Sequence, residues 1–263
     1  MDLGLKNKVA AVAASSRGLG YAIARELAAE GARVGICSRN EDNTRTAAER
    51  IASETGGQVF HCVADVSKRE DAVRFVQAVT EKFGRVDILV TNAGGPPPGG
   101  FDDVEYDDVE RAFHLTLESA IAMMKTVIPS MRERRWGRIV NMLSFTVKHP
   151  ELNLLMSNTM RTGLVGFSKS VAREIAADNV LINGVAPGFT RTERLEELAQ
   201  DMAKREGEGV GDVYHDWENR IPMRRLGRPE EIAKVTVFLC SEAASFVTGV
   251  TIQVDGGLVC GLY

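Results

Sequence analysis

The segment Ala13-Ala14-Ser15-Ser16-Arg17-Gly18-Leu19-Gly20 stands between a β-type apolar run and a helical pattern. Glycines at such a junction let the backbone approach a pyrophosphate closely. The N-terminus of the following helix adds free N–H groups and the positive end of its dipole. A lone Gly-x-Gly also fits a simple tight turn, and its place between strand and helix is what points to phosphate binding. Other chemistry-bearing residues are dispersed. Cys37, Cys62, Cys240 and Cys260 form no Cys-x-x-Cys pair and have no nearby His to complete a zinc set, so they read as reduced thiols of a cytosolic protein. Asp102, Asp103, Asp107 and Asp108 read as a solvated acidic face or a helix start, not a metal site. His61 falls in a strand and His114 in a helix, and neither has a motif around it. Tyrosine is scarce: Tyr21, Tyr106, Tyr214 and Tyr263.

The elements that must position these residues follow from pattern. Short β-type runs cover Lys8–Ala13, Arg33–Cys37, Val59–Val63, Val86–Val90, Arg138–Met142, Val180–Val185 and Thr251–Val254. Helical patterns fall between them at Gly18–Gly31, Asp42–Glu54, Lys68–Phe83, Tyr106–Arg134, Leu152–Ala177 and Glu230–Cys240. Such alternation implies parallel strands joined by right-handed crossovers, hence an α/β fold: one Rossmann-type doubly wound parallel sheet with helices on both faces. No linker, composition break or repeat divides residues 1–263, so a single domain is expected. Two stretches leave the rhythm: the Gly-Gly-Pro-Pro-Pro-Gly-Gly of Gly94–Gly100, and the long charged connection over about 190–228. Both fall at the carboxyl edge of the strands, where open α/β sheets bind ligands, and the second reads as a lid or substrate loop.

Composition narrows the classes. With 44% hydrophobic and 26% charged residues in 263, the chain has ordinary globular character. A formal net charge of −4 argues against a broad nucleic-acid surface. The opening Met-Asp-Leu-Gly-Leu-Lys lacks the pattern of a signal peptide. No apolar run reaches the roughly 18 residues of a membrane span, so a cytoplasmic protein is expected.

Together the motifs resemble the short-chain dehydrogenase/reductase family, most closely its 3-oxoacyl-acyl-carrier-protein reductase branch. The family's Thr-Gly-x-x-x-Gly-x-Gly loop falls on Ala13–Gly20, with Ala13 and Ala14 replacing Thr and the first Gly. Further matches are Asp65-Val66 on the adenine side, Asn92-Ala93-Gly94 after the fourth strand, Pro187, Gly188 and Thr192 beside the nicotinamide, and the closing Val254–Gly257. The resemblance implies a nicotinamide cofactor. An NAD enzyme usually carries an acidic residue at the end of the second strand to hold the ribose 2′-hydroxyl. Here that strand ends Cys37-Ser38-Arg39, and Arg39 and Arg17 suit a 2′-phosphate, so NADP is expected ahead of NAD.

The family's chemistry uses a Ser, a Tyr-x-x-x-Lys pair and an Asn in the long helix. Ser144 matches the Ser. The register set by Gly163-Leu164-Val165-Gly166-Phe167 puts the Tyr at Ser157, 13 residues after Ser144, and the Lys at Arg161. The Asn position falls on Thr116, and no Tyr lies between Tyr106 and Tyr214 to supply a shifted motif. Arg161 could still hold ribose hydroxyls, while Ser144 and Ser157 could stabilise a developing alkoxide. The proton would come from water, or from Tyr214, His215 or His149, although each of these reads more readily as a structural or solvent-facing residue. The expectation is therefore an NADP-dependent oxidoreductase acting on a small-molecule carbonyl or alcohol with an altered proton-transfer site. The alternative is an NADP-binding protein without redox turnover. The resemblance also implies a homo-dimer or homo-tetramer formed through the two long helices, with no nucleic-acid or membrane partner.

Overall fold

The computed structural model describes residues 2–262. Tyr263 and Met1 lie outside the described residues. Seven strands form one parallel sheet: β1 (Val9–Val12), β2 (Arg33–Ser38), β3 (Val59–Val63), β4 (Ile88–Thr91), β5 (Gly137–Met142), β6 (Val180–Pro187) and β7 (Thr251–Val254). Their spatial order is β3-β2-β1-β4-β5-β6-β7. The central strands β1, β4, β5 and β6 are buried throughout, which explains their unbroken apolar runs; the edge strands β3 and β7 are largely half-exposed.

Helices cover both faces. On one side α1 (Gly18–Ala29), α2 (Glu41–Thr55) and α9 (Pro229–Leu239) bury Ile23, Leu27, Ile51, Ile232 and Val237 against the sheet. On the other, α3 (Arg69–Phe83), α5 (Ser119–Glu133) and α6 (Leu155–Ile175) bury Phe75, Val79, Met123, Met124 and Leu164. The chain reverses direction across the sheet between β1 and β4, opening the crevice at the strands' carboxyl ends.

Two departures from the sequence expectation bear on the site. The long helix expected over Tyr106–Arg134 is not uniform. It begins as α4 (Tyr106–Ala112), widens into a π-helical turn over Phe113–Glu118, and continues as α5. Such widened turns frequently mark functional sites. The connection over 190–228 is structured as well: it holds α7 (Glu193–Glu206) and α8 (Val210–Arg220) around a small core of Leu195, Ala199, Val213, Trp217 and Ile221. Its ends are stitched together, with Gly227 N donating to Phe189 O and Arg191 N to Gly227 O, both at 2.9 Å.

Candidate active site

The loop from β1 into α1 is built to leave backbone donors free. Arg17 occupies the N-cap of α1 with no side-chain cap, so the first helical N–H groups keep no side-chain acceptor. Gly20 admits no side chain: a Cβ there would lie 2.6 Å from the Ala14 carbonyl oxygen and 2.8 Å from Asn92 Nδ2. Asn92 itself donates to Ala13 O at 3.2 Å and Ala14 O at 3.0 Å, fastening the loop to the end of β4. Ala14, which stands where a glycine would be freest, is held at φ 47°, in the left-handed region. The missing glycine is thus accommodated without losing the loop.

A cavity of about 890 Å³ runs along the carboxyl edge of the sheet from this loop. Ser16, Arg17, Gly18 and Leu19 line its middle, and Ser38, Arg39, Asp65 and Val66 line one end. Asn92, Ala93 and Gly94 floor it after β4, while Arg161 and Thr192 line the far side. Six of the expected residues lie off its wall. Ser15 is fully buried, its Oγ donating to Val12 O at 2.6 Å and its N to Cys37 O at 2.9 Å, so it braces the loop instead. Gly20 packs behind the loop. Pro187 ends β6, and Gly188 is pressed against the turn after β7, where a Cβ would lie 2.8 Å from Asp255 Cα. Ser144 and Ser157 sit beside lining residues without lining the cavity themselves.

The electrostatics of the two ends differ. At the β2 end Arg39 is exposed and, among the described residues, has no carboxylate within salt-bridge distance; Arg17 lies 3.4 Å from Glu197. Ser38 bonds the Thr44 hydroxyl, and Asp65 accepts from Ser67 N at 3.1 Å and Ser67 Oγ at 2.7 Å. At the β5 end Arg161 is 9% exposed and donates from Nη1 to Met142 O at 2.7 Å and Leu143 O at 3.2 Å. Its Nε donates to Ser157 Oγ at 3.3 Å. Burial, reinforced by the nearby Arg194 charge, pulls the Arg161 guanidinium down to about 10, which still leaves it a cation at neutral pH. Ser144 Oγ accepts from Thr146 N at 3.3 Å. Ser144 and Ser157 thus each take an N–H on the oxygen and keep the hydroxyl proton free to donate.

The other candidates are scattered. His149 and His215 are exposed. Tyr214 packs edge-on to Trp217 at 5.6 Å and faces a separate recess of about 360 Å³ beside α1, with burial holding its phenol above the usual value. Thr116 is buried in the π-helical turn, and its hydroxyl has no partner among the described residues. Asp103 and Asp108 cap local turns through Gly100 N at 2.9 Å and Glu105 N at 3.0 Å, as a helix start requires.

Several wall residues had no sequence signal. Arg194, on the first turn of α7, donates from Nη2 to Pro96 O at 2.9 Å, and Arg205 reaches Asp103 at 3.3 Å. Arg220 grips Glu151 at 3.0 and 2.6 Å. Arg194 and Arg205 fasten the 190–228 segment to the Gly94–Gly100 loop and the turn after it, and Arg220 fastens it to the connection after β5. Arg111 and His114 come from the long helix, and hydrogen bonds to Glu118 at 2.6 Å and to Glu110 raise the His114 pKa above its usual value.

An uncapped helix opening at the switch point of a doubly wound sheet, above a long cavity, defines a dinucleotide-binding α/β protein. Comparison with known proteins narrows this. The family model for Enoyl-(Acyl carrier protein) reductase matches residues 13–259. Dehydrogenase/reductase SDR family member 4 of Sus scrofa is 38% identical over 254 residues, 96% of this chain and 88% of that protein. The 3-oxoacyl-acyl-carrier-protein reductase FabG of Aquifex aeolicus is 33% identical over 258 residues, 98% of this chain and all (100%) of that one. The crystal structure of L-sorbose reductase from Gluconobacter frateurii, complexed with NADPH and L-sorbose, superposes with a TM-score of 0.94 at 31% identity, covering 100% of both chains. The chain belongs to the short-chain dehydrogenase/reductase family.

Proposed function

We propose that this protein is an NADP(H)-dependent oxidoreductase interconverting a carbonyl and an alcohol, in the manner of a 3-oxoacyl-acyl-carrier-protein reductase. In this reading Ser157 and Arg161 stand in for the family's Tyr and Lys. The observation that carries it is one continuous cavity joining the uncapped start of α1 to the buried Arg161. The residues fit the cofactor. Ser16, Arg17, Gly18 and Leu19 would hold the pyrophosphate, with Ser15 bracing them. Ser38 and Arg39 would hold the 2′-phosphate, and Asp65 and Val66 the adenine side. Asn92–Gly94, Pro187, Gly188 and Thr192 would flank the nicotinamide, and Arg161 the ribose. The NADPH complex of L-sorbose reductase supports the same choice. When bound, the cofactor supplies the hydride.

The protein's own part is polarisation. Ser144 and Ser157 have hydroxyl protons to offer a carbonyl oxygen, and the Arg161 charge 3.3 Å from Ser157 strengthens that donor. Together they stabilise the developing alkoxide. The final proton comes from solvent: Arg161 stays charged, His149 and His215 are exposed, and Tyr214 faces elsewhere. The unpartnered Thr116 hydroxyl is a polar atom for such a relay. The 190–228 segment acts as the lid of this single domain. Exposed Tyr106 and Phe113 on the long helix support a homo-dimer or homo-tetramer, and four free thiols support a cytoplasmic site.

Loss of NADPH absorbance with a panel of ketones tests the reading. Ser144→Ala should cut turnover by about tenfold or more; unchanged turnover removes Ser144 from the mechanism. A second reading, nucleotide binding without turnover, is favoured by one fact: among the described residues, no Tyr, Lys or Cys lines the cavity. NADPH binding with no turnover of any ketone would select it.

A further inference from the structure

Arg161 and Arg194 both line the cavity, and the Arg161 charge is not balanced there. Arg161 is nine-tenths buried, yet among the described residues no carboxylate lies within salt-bridge distance of it. Its Nε and Nη1 are spent on Ser157 and the Met142 and Leu143 carbonyls, while Nη2 has no acceptor among the described residues. Arg194 lies over Gly95, where a side chain would crowd its Nε at 3.3 Å, and is braced by Pro96 O. Its one carboxylate contact among the described residues, Glu197, is 3.4 Å away and half-exposed.

None of the cavity's carboxylates pairs with Arg161. Glu197 is shared with Arg17 at 3.4 Å, Glu193 lies beside Gly18, and Asp65 belongs to the β2 end. A buried guanidinium without a counter-charge is costly, and an anion supplied by a ligand relieves that cost. The cofactor's phosphates have their own donors at the start of α1 and at Arg39. We infer that the substrate is an oxo acid whose carboxylate is held between Arg161 and Arg194. This rests on the reductase reading of the same cavity and adds the substrate's charge. Half-exposed, and held only by Pro96 O at 2.9 Å and Glu197 at 3.4 Å, Arg194 is the adjustable member of the pair; the buried Arg161 is the fixed one.

Calorimetric titration into protein saturated with NADP⁺ tests this without turnover. The probes are pyruvate, acetoacetate and levulinate, each beside its methyl ester. At least one acid should bind about tenfold or more tightly than its ester, the scale of a charge-assisted contact. Arg194→Gln, on a half-exposed side chain whose fold is checked by thermal melting, should erase most of that preference. Arg161→Met should do the same, and Arg161→Lys should restore part of it. Acids and esters that bind alike overturn the inference, as does a preference that survives Arg194→Gln. A loss confined to NADP⁺ affinity in Arg194→Gln also overturns it, by giving the guanidinium to the cofactor. If NADP⁺ does not bind, the same ratios are read on the nucleotide-free protein. Preference for the acid without NADPH turnover leaves the inference standing and removes the reductase reading; turnover without preference does the reverse.

Discussion

Arg39→Ala should separate NADPH from NADH. The side chain stands at the end of β2, exposed, with no carboxylate partner among the described residues, on the wall shared with Ser38 and Asp65. It therefore has no internal ion pair to break before it meets a 2′-phosphate. A hydrogen bond to a charged group contributes about 1.5–3 kcal/mol. The exposure of Arg39 places it at the lower end, so the NADPH dissociation constant should rise about tenfold, since about 1.4 kcal/mol is tenfold. NADH, lacking that phosphate, should bind with little change. Arg17→Ala should do less, because Arg17 is more than half exposed and already engages Glu197. Fluorescence titration of both nucleotides reads this directly, and the Arg39 effect should shrink as salt rises, as exposed charges are screened. Equal weakening of NADPH and NADH would refute the assignment of Arg39, and wild-type protein binding both equally would refute the preference for NADP.

Ser157→Tyr with Arg161→Lys should raise ketone turnover, measured as NADPH oxidation; no gain would mean that these two positions do not limit the site. Gly188→Ala should lower the melting temperature by about 2–8 °C, from roughly 1–3 kcal/mol of overpacking against Asp255, as followed by circular dichroism. His114 has its folded pKa raised by Glu118 and Glu110. Its contribution to stability is therefore full below the unfolded value of about 6.5 and is lost as pH rises through the folded value. His114→Gln should melt about 1–2 °C lower than wild type at acidic pH, with the difference vanishing on the alkaline side; the half-exposed pair keeps the effect small.

The strands were legible because the central ones are buried on both faces and leave unbroken apolar runs, and α1 because its glycines mark the turn from strand to helix. The doubly wound parallel sheet followed from the alternation of strands and helices, and the order of its strands did not. What the sequence hid was long-range. Arg194 meets Pro96 across 98 positions and Arg220 meets Glu151 across 69, and neither has a local pattern announcing the contact. The π-helical turn at Phe113–Glu118 keeps helical periodicity on either side, so a continuous helix was the natural expectation. The helices of the 190–228 segment were obscured by charge, since α7 buries only Leu195, Ala199 and Ala203. Ser15 shows the converse: a motif position that the fold uses as a brace.

Hydride transfer itself is the most direct test. Protein mixed with NADPH deuterated at the transferable position and a ketone panel, including the oxo acids, should yield an alcohol one deuterium heavier at the former carbonyl carbon by mass spectrometry. Absence of deuterium from every product, with NADPH bound, would contradict the oxidoreductase account.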